Sequence, residues 1–152
     1  MTEAGNGQEI AAAGQQASDP IRWILAHCKT IAVVGLSPKP ERASFDVARY
    51  MQAHGYRIIP VNPAAGIAHI LGEPVYADLQ QAAAREAIDL VACFRRSEDI
   101  PPILDAAIAI QAKGVWMQLG VANAPAAARA RAADLRVVQD RCLKIEHRSL
   151  RS

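Results

Sequence analysis

The segment TIAVVGLSPKPERAS, residues 30–44, decides the fold class of this chain. Its first part, Thr30–Val34, is a short β-branched run that ends at Gly35, which is typical of a strand buried on both faces of a parallel sheet. Beyond a loop, Ser44 is predicted to cap a helix over residues 45–54. The segment therefore predicts a strand, a turn and a helix, the first part of a βαβ unit.

The same alternation of strands and helices continues on both sides of this segment. A short helix is predicted to open at Asp19-Pro20, because a proline at the first helical position loses no hydrogen bond. Further strands are predicted at residues 56–61, 75–76, 88–94, 115–119 and 136–139, and further helices at 79–85, 97–111 and 125–133. This order predicts an α/β protein with a Rossmann-like three-layer α/β/α fold and a mostly parallel sheet of five to six strands.

Length and composition fit one compact domain. The chain has 152 residues, 51% of them hydrophobic, and a formal net charge of +2, which indicates neither a nucleic acid nor a membrane as partner. Residues 1–17 contain no Lys or Arg and no apolar core, so we expect a disordered tail before a domain over residues 18–152. Three scattered cysteines, Cys28, Cys93 and Cys142, predict neither disulfides nor zinc and suit a reducing cytoplasm.

The loop after the first predicted strand has the outline of a phosphate site. In parallel α/β sheets, ligands bind beyond the carboxyl ends of the strands. Gly35 permits close approach of the backbone, Ser37 offers a hydroxyl, and Lys39 and Arg42 add two cations near a helix N-terminus. The loop contains neither GxGxxG nor GxxxxGKS/T, so it predicts neither a standard dinucleotide site nor a P-loop. The alternative interpretation is a plain turn with two solvated cations.

The end of the second predicted strand separates two kinds of nucleotide. NAD-binding folds commonly place Asp or Glu there to hold the ribose hydroxyls, whereas this chain has Val61-Asn62-Pro63. A neutral amide tolerates a phosphorylated ribose that a carboxylate would repel, which favours a 3′-phosphorylated adenosine such as that of coenzyme A. The alternative is that Asn62-Pro63 only ends the strand.

The strand predicted at residues 88–94 ends in Phe94, Arg95 and Arg96 at the same edge of the sheet. An aromatic ring there can pack on adenine or on pantetheine, and a guanidinium group can pair with phosphate. Arg95 is the stronger candidate, because Arg96 is equally well explained as an exposed group at the start of an acidic helix turn.

Few residues suggest catalysis or metal binding. The four histidines form no HExxH pattern and no serine lies in GxSxG, so neither a catalytic residue nor a metal ligand is predicted. Near the C-terminus, Cys142 and His147 fall on different sides of a helix, and that segment is interpreted as a closing helix with ion pairs. Gln118 is a secondary candidate contact, and its neighbour Trp116 is predicted to be a core residue.

Six stretches in series carry a resemblance to a known family. They are VVGLSPKPERAS, YMQAHGYRIIPVNP, ILGEPVYADL, DLVACFRRSEDIP, VWMQLGV and VVQDRCLKIEHRSL, which together run from about Thr30 to Leu150. Their order and spacing resemble those of the small stand-alone CoA-binding proteins, whose single domain is similar to the CoA-binding domain of the succinate-CoA ligase α subunit. The resemblance implies a Rossmann-like fold and a coenzyme A site built from Gly35, Leu36, Ser37, Lys39, Arg42, Pro60, Val61, Asn62, Pro63, Phe94 and Arg95.

The resemblance implies binding more directly than it implies a reaction. The ligase α subunit carries a second domain with a histidine that is phosphorylated during turnover, and this chain ends before such a domain. We therefore expect a module that binds coenzyme A or an acyl-CoA, either without catalysis or together with a partner subunit. The alternatives are an NAD(P)-binding or acyl-CoA enzyme component and a ligand-free regulatory or interaction domain. A homodimer or an unknown protein partner is left open.

Overall fold

A computed structural model describes residues 19–64 and 66–151 of the chain. The tail predicted over residues 1–17 lies outside the described residues. In chain order the helices and strands are α1 (Asp19–His27), β1 (Thr30–Val34), α2 (Ala43–Ala53), β2 (Arg57–Val61), β3 (His69–Ile70), β4 (Glu73–Pro74), α3 (Leu79–Ala83), β5 (Leu90–Cys93), α4 (Ile100–Ala109), β6 (Gly114–Met117), α5 (Ala124–Ala132), β7 (Arg136–Val138) and α6 (Leu143–Arg151). No helix among the described residues is long and apolar enough to cross a membrane.

Five strands form one parallel sheet in the order β2-β1-β5-β6-β7. β1 pairs with β2 on one side and with β5 on the other, so that Val34 is aligned with both Val61 and Cys93. After β2 the chain returns past β1, and the strand order reverses between β1 and β5. Such a switch point opens a crevice at the carboxyl ends of the two strands. The predicted Rossmann-like fold with a mostly parallel sheet is confirmed.

Helices cover both faces of the sheet and bury two hydrophobic clusters. On β1, Ala32 and Val34 pack toward α3, α4 and α5. The alternate residues, Ile31 and Val33, pack toward α1, α2 and α6. Trp116 on β6 is fully buried, as predicted for a core residue. Burial on both faces explains why the strands are continuous apolar runs in the sequence.

Two residues predicted to cap helices have another role. α2 begins one residue before Ser44, at Ala43, and the Ser44 hydroxyl accepts a hydrogen bond from the N–H of Ser37 (3.0 Å). Ser97 begins a 3-10 turn, and its hydroxyl accepts from the N–H of Ala122 (3.1 Å). Each hydroxyl is therefore bound to a different loop at the carboxyl edge and is not bound to its own helix.

The weak strand predicted at residues 75–76 is a single bridge. Tyr76 pairs in parallel with Val61, because its N–H donates to the carbonyl of Pro60 (3.0 Å) and its carbonyl accepts from the N–H of Asn62 (2.9 Å). The short strands β3 and β4 form a separate antiparallel hairpin before this bridge. Tyr76 thereby covers the open edge of β2 close to the crevice.

Candidate ligand-binding site

The site is organised around the close contact between the ends of β1 and β5 at Gly35. Gly35 has φ of 89°, and its N–H donates to the carbonyl of Val61 (2.8 Å). The N–H of Phe94 donates to the carbonyl of Val34 (2.9 Å), which brings β5 against the same turn. A Cβ atom at position 35 would lie 2.5 Å from the carbonyl oxygen of Phe94 and 3.0 Å from Cδ of Arg95. Only glycine fits this position, because the positive φ disfavours any residue with a side chain and because a Cβ atom would overlap Phe94.

The hydroxyl groups of Ser37 and Ser44 hold the loop after Gly35 against the start of α2. Leu36 is fully buried, so the beginning of the loop is fixed in the core. The N–H of Lys39 donates to Oγ of Ser37 (3.1 Å), and the buried hydroxyl of Ser44 accepts from the N–H of Ser37 (3.0 Å). The Ser37 hydroxyl keeps its own hydrogen for a further acceptor. The loop is therefore ordered before any ligand arrives.

The loop over residues 35–42 carries two cations, Lys39 and Arg42, and one carboxylate, Glu41. Lys39 and Arg42 are exposed, and neither forms an ion pair within the part of the chain that the structure describes. Asp46, the acidic residue in the first turn of α2, is bound by Lys144 (2.8 Å) and by Arg49 (3.4 Å). The hydrogen bond from Lys144 lowers the pKa of the Asp46 carboxyl, so this carboxylate stays ionised and paired. The loop cations are left for an anion.

Asn62 fastens the end of β2 to the loop after β1. Its Nδ2 donates to the carbonyl of Leu36 (2.8 Å), and its Oδ1 accepts from the N–H of Ala64 (2.8 Å). The side-chain amide thus holds the loop in place, a role that its position in the sequence does not reveal. No carboxylate occupies this position at the end of β2.

A cleft of about 490 Å³ lies between the carboxyl ends of β1 and β2 and the helices α3 and α4. We call it the main cleft; its lining includes Val34, Val61, Pro63, Asp78, Arg95 and Asp99. Three predicted contact residues, Val61, Pro63 and Arg95, therefore share one surface. Pro60 is buried and takes part through its carbonyl, which binds Tyr76.

Acidic groups of the main cleft are engaged by neighbouring groups. Asp78 accepts a hydrogen bond from the N–H of Gln81 (2.8 Å) and caps α3. Asp99 lies 3.7 Å from a guanidinium nitrogen of Arg95 and 3.3 Å from one of Arg96. Arg95 is 43% exposed in its side chain, so it can turn toward a ligand, whereas Arg96 lies farther into solvent. The preference for Arg95 over Arg96 as a contact stays a prediction.

A second cleft, of about 510 Å³, adjoins the main cleft on the side of β6. We call it the β6 cleft; it is lined by Phe94, Arg95, Arg96, Asp99, Gln118, Leu119 and Val121. Arg95 and Asp99 belong to both clefts and separate them. The sequence placed Gln118 here as a secondary contact, but it gave no sign of the cleft itself.

The loops described above lie within a region that matches a known family. A family model described as a CoA binding domain matches residues 29–148, which include the segments after β1, β2, β5 and β6. The chain belongs to this CoA-binding domain family. One relative is a Bacillus subtilis (strain 168) protein described as "Uncharacterized protein YneT", 39% identical over 127 residues that form 84% of this chain and 91% of that protein.

Two of the solved structures that are similar to this member of the family are close to it in length. A hypothetical protein from Pyrococcus horikoshii OT3 has a TM-score of 0.81 and 36% sequence identity, covering 89% of this chain and 92% of that one. A structure from Thermus thermophilus has a TM-score of 0.79 and 34% identity, covering 86% of this chain and 96% of that one. The architecture therefore accounts for nearly the whole of each of these two chains.

Burial favours the protonated thiol at two cysteines of this CoA-binding domain, Cys28 and Cys93. Burial raises the pKa of the Cys93 thiol, at the end of β5, to about 12. Burial and the nearby Asp89 carboxylate likewise raise the pKa of Cys28 to about 12. Within residues 19–64 and 66–151, no group of three or more His, Cys, Asp or Glu side chains could hold a metal ion.

The C-terminal helix of this CoA-binding domain packs on α2 through His147. Nδ1 of His147 lies 2.8 Å from the hydroxyl of Tyr50, and the two rings meet edge to face. Burial, together with His54 and Arg151, lowers the pKa of His147 and favours the neutral ring. Cys142 lies one residue before the helix, and the hydrogen-bond partner of the His147 ring is Tyr50.

A larger groove of about 850 Å³ lies at the amino edge of the sheet, where α1 ends and β7 begins. Its aromatic and cationic groups bind one another. The guanidinium carbon of Arg136 lies 3.5 Å from the ring centre of Trp23, and the Trp23 ring stacks on His27. This groove is remote from the switch point, so its size does not make it the better candidate.

Proposed function

We propose that this chain binds coenzyme A at the carboxyl edge of its sheet and acts as a CoA-binding module. The observation that carries the proposal is the contact at Gly35, because it joins the cationic loop after β1 to Phe94 and Arg95 after β5. Membership of the CoA-binding domain family supports the same ligand.

The loop over residues 35–42 would hold the phosphates of the ligand. The start of α2 offers backbone N–H groups and the positive end of a helix dipole. Lys39 and Arg42 have no ion pair with a described residue, so phosphate binding breaks no existing pair. Ser37 adds a hydroxyl hydrogen. The hydrogen bonds to Ser37 and Ser44 already fix the loop, which reduces the entropy lost on binding.

The end of β2 suits a phosphorylated adenosine. Asn62 occupies the position at which NAD-binding folds place a carboxylate, and its amide is used to hold Leu36. A 3′-phosphate therefore meets no like charge at this position. Pro63 is exposed and offers apolar surface for adenine in the main cleft, whereas Val61 lies buried beneath it.

The pantetheine arm would pass over Phe94 and Arg95 at the end of β5. Phe94 is half-buried and offers one ring surface, and the stem of Arg95 packs beside Gly35. The protonated thiol of the buried Cys93 offers no nucleophile at this point. We therefore propose a module that carries no chemistry of its own here or that acts with a partner subunit.

A thermal melt with a panel of nucleotides tests this proposal. Coenzyme A at a hundredfold excess over its dissociation constant is expected to add about 2.7 kcal/mol to the free energy of unfolding. For a chain of this size, that raises the melting temperature by about 8 °C. NAD, NADP and ATP at the same concentration serve as controls and are expected to give smaller shifts.

Each alternative function predicts a different pattern in the same panel. An NAD(P)-binding enzyme component would be stabilised most by NAD or NADP. A ligand-free regulatory domain would show no shift with any of the nucleotides. Either pattern contradicts the proposal that coenzyme A is the ligand.

A further inference from the structure

The β6 cleft contains a buried amide group that lacks a hydrogen-bond partner. Gln118 follows β6 directly and is only 5% exposed. Its Nε2 is shielded from solvent and has no hydrogen-bond partner among residues 19–64 and 66–151. A buried polar group without a partner costs stability, so a ligand in the cleft that supplied an acceptor would recover that cost.

The backbone around Gln118 is fixed, which limits movement to the side chain. Its N–H lies 3.4 Å from the carbonyl of Cys93, and its carbonyl accepts from the N–H of Val121 (2.8 Å). The last torsion of a glutamine side chain has a broad, shallow energy profile. Nε2 can therefore reach an acceptor in the cleft while the end of β6 stays in place.

The position of Gln118 fits the far end of the ligand. In the sheet order β2-β1-β5-β6, the contacts proposed for adenosine, phosphate and pantetheine follow β2, β1 and β5, and Gln118 follows β6. Three interstrand spacings separate β2 from β6, a distance of about 14 Å. An extended ligand that begins at Asn62 and crosses the loop at Gly35 thus brings its sulfur end to the β6 cleft.

The β6 cleft also offers apolar surface beside Gln118, in addition to the charged groups of Arg95, Arg96 and Asp99. Leu119 is 60% exposed, and Val121 is half-buried beside it. Phe94 bounds the opposite side of the cleft. An exposed leucine alone is ordinary, but here it adjoins the unpartnered amide and extends the path of the ligand. A short hydrocarbon chain would cover this surface.

We infer that the β6 cleft is an acyl subsite, in which Gln118 donates a hydrogen bond to the thioester carbonyl of a short-chain acyl-CoA and Leu119 covers the chain. This inference rests on the proposed binding of coenzyme A, and it names an acyl thioester as the preferred ligand over the free thiol. The free thiol offers no carbonyl at this position.

Calorimetry with three ligands separates the contribution of the hydrogen bond to the thioester carbonyl from the contribution of the hydrocarbon chain. On the parent protein, butyryl-CoA is expected to bind about tenfold more tightly than S-butyl-CoA, a thioether without the carbonyl. S-butyl-CoA in turn is expected to bind several-fold more tightly than coenzyme A, because its butyl chain covers Leu119 and coenzyme A has no such chain. The comparison needs no variant, so it does not depend on whether a substituted protein folds.

The variant Gln118→Met then removes the amide and keeps a side chain of similar length. It is expected to bind butyryl-CoA and S-butyl-CoA equally, and to lose more affinity for butyryl-CoA than for coenzyme A. Its melting temperature without ligand should equal or exceed that of the parent, since no unpartnered amide remains.

The outcomes distinguish a failure of this inference from a failure of the proposed function. Equal affinity of the parent for all three ligands would overturn the acyl subsite and leave coenzyme A binding intact. An equal loss of affinity for all three ligands in Gln118→Met would place the amide on pantetheine and also overturn it. Binding of none of the three would refute the proposed function itself.

Discussion

The double variant Lys39→Ala, Arg42→Ala is expected to weaken coenzyme A binding about 100-fold at low salt. Each cation contributes a charged hydrogen bond to phosphate that we place at about 1.5 kcal/mol, because both side chains are exposed. Two such bonds give about 3 kcal/mol, which corresponds to roughly two decades in the dissociation constant. Calorimetric titration of both proteins at two ionic strengths measures this loss of affinity. Added salt should weaken binding by the parent and leave binding by the variant little changed, so the difference between their affinities should shrink.

A matched control removes the same net charge elsewhere. Arg22 on α1 and Arg85 before β5 are exposed and lie toward the amino edge of the sheet. Arg22→Ala, Arg85→Ala should bind coenzyme A within about threefold of the parent, since exposed charges this distant are largely screened. Equal affinity of the Lys39, Arg42 double variant and the parent would refute the assignment of phosphates to this loop.

Gly35→Ala is expected to disrupt the packing of β1 against β5 at the carboxyl edge of the sheet and also the binding of ligand. The new methyl group would lie 2.5 Å from the carbonyl oxygen of Phe94, and φ of 89° is strained for any residue with a Cβ. Strain and overlap together are expected to cost about 3 kcal/mol, or about 9 °C in melting temperature. Since the loop after β1 must move away from β5, coenzyme A binding should fall below detection at concentrations that saturate the parent.

The control variant Gly55→Ala separates the effect of backbone strain from the effect of steric overlap. Gly55, after α2, has φ of 95°, but nothing lies within 4 Å of a Cβ built there. The backbone strain alone is expected to cost about 1 kcal/mol, or about 3 °C, with coenzyme A affinity unchanged. If Gly35→Ala melted no lower than Gly55→Ala and still bound the ligand, the close contact of β1 and β5 would not be what holds the site together.

The sheet could be predicted from the sequence because its strands are buried on both faces. The strand Thr30–Val34 has the predicted bounds. The strands that end at Val61 and Cys93 could be recognised because apolar residues are followed there by residues typical of turns. The order of the strands was not predicted from the sequence; the structure shows it to be β2-β1-β5-β6-β7, which places the ends of β1 and β5 at one crevice.

Hydroxyl and amide partners could not be predicted, because they depend on contacts between segments far apart in the chain. Ser44 and Ser97 have the residue type and position of helix caps, yet each hydroxyl binds a loop. Asn62 ends a strand, as residues of its type do, but its amide also holds Leu36. Local propensity does not contain this information, which arises only when the loops meet.

The candidate site was predictable in its charges and not in its shape. Lys39, Arg42 and Arg95 were singled out as cations after strand ends, and the structure places Arg95 between two clefts. The unpartnered amide of Gln118 is the feature that sequence alone could not supply, since it requires knowledge of every neighbour of one nitrogen atom. The contacts of these residues with coenzyme A stay predictions.

The central claim is that coenzyme A binds at the carboxyl edge of the sheet, and backbone amide chemical shifts of the isotope-labelled protein test it most directly. Titration with coenzyme A is predicted to shift the amide signals of Gly35, Ser37, Lys39 and Phe94, with a common dissociation constant. Shifts confined to the groove around Trp23 and Arg136 at the amino edge, or no shifts at millimolar coenzyme A, would contradict it.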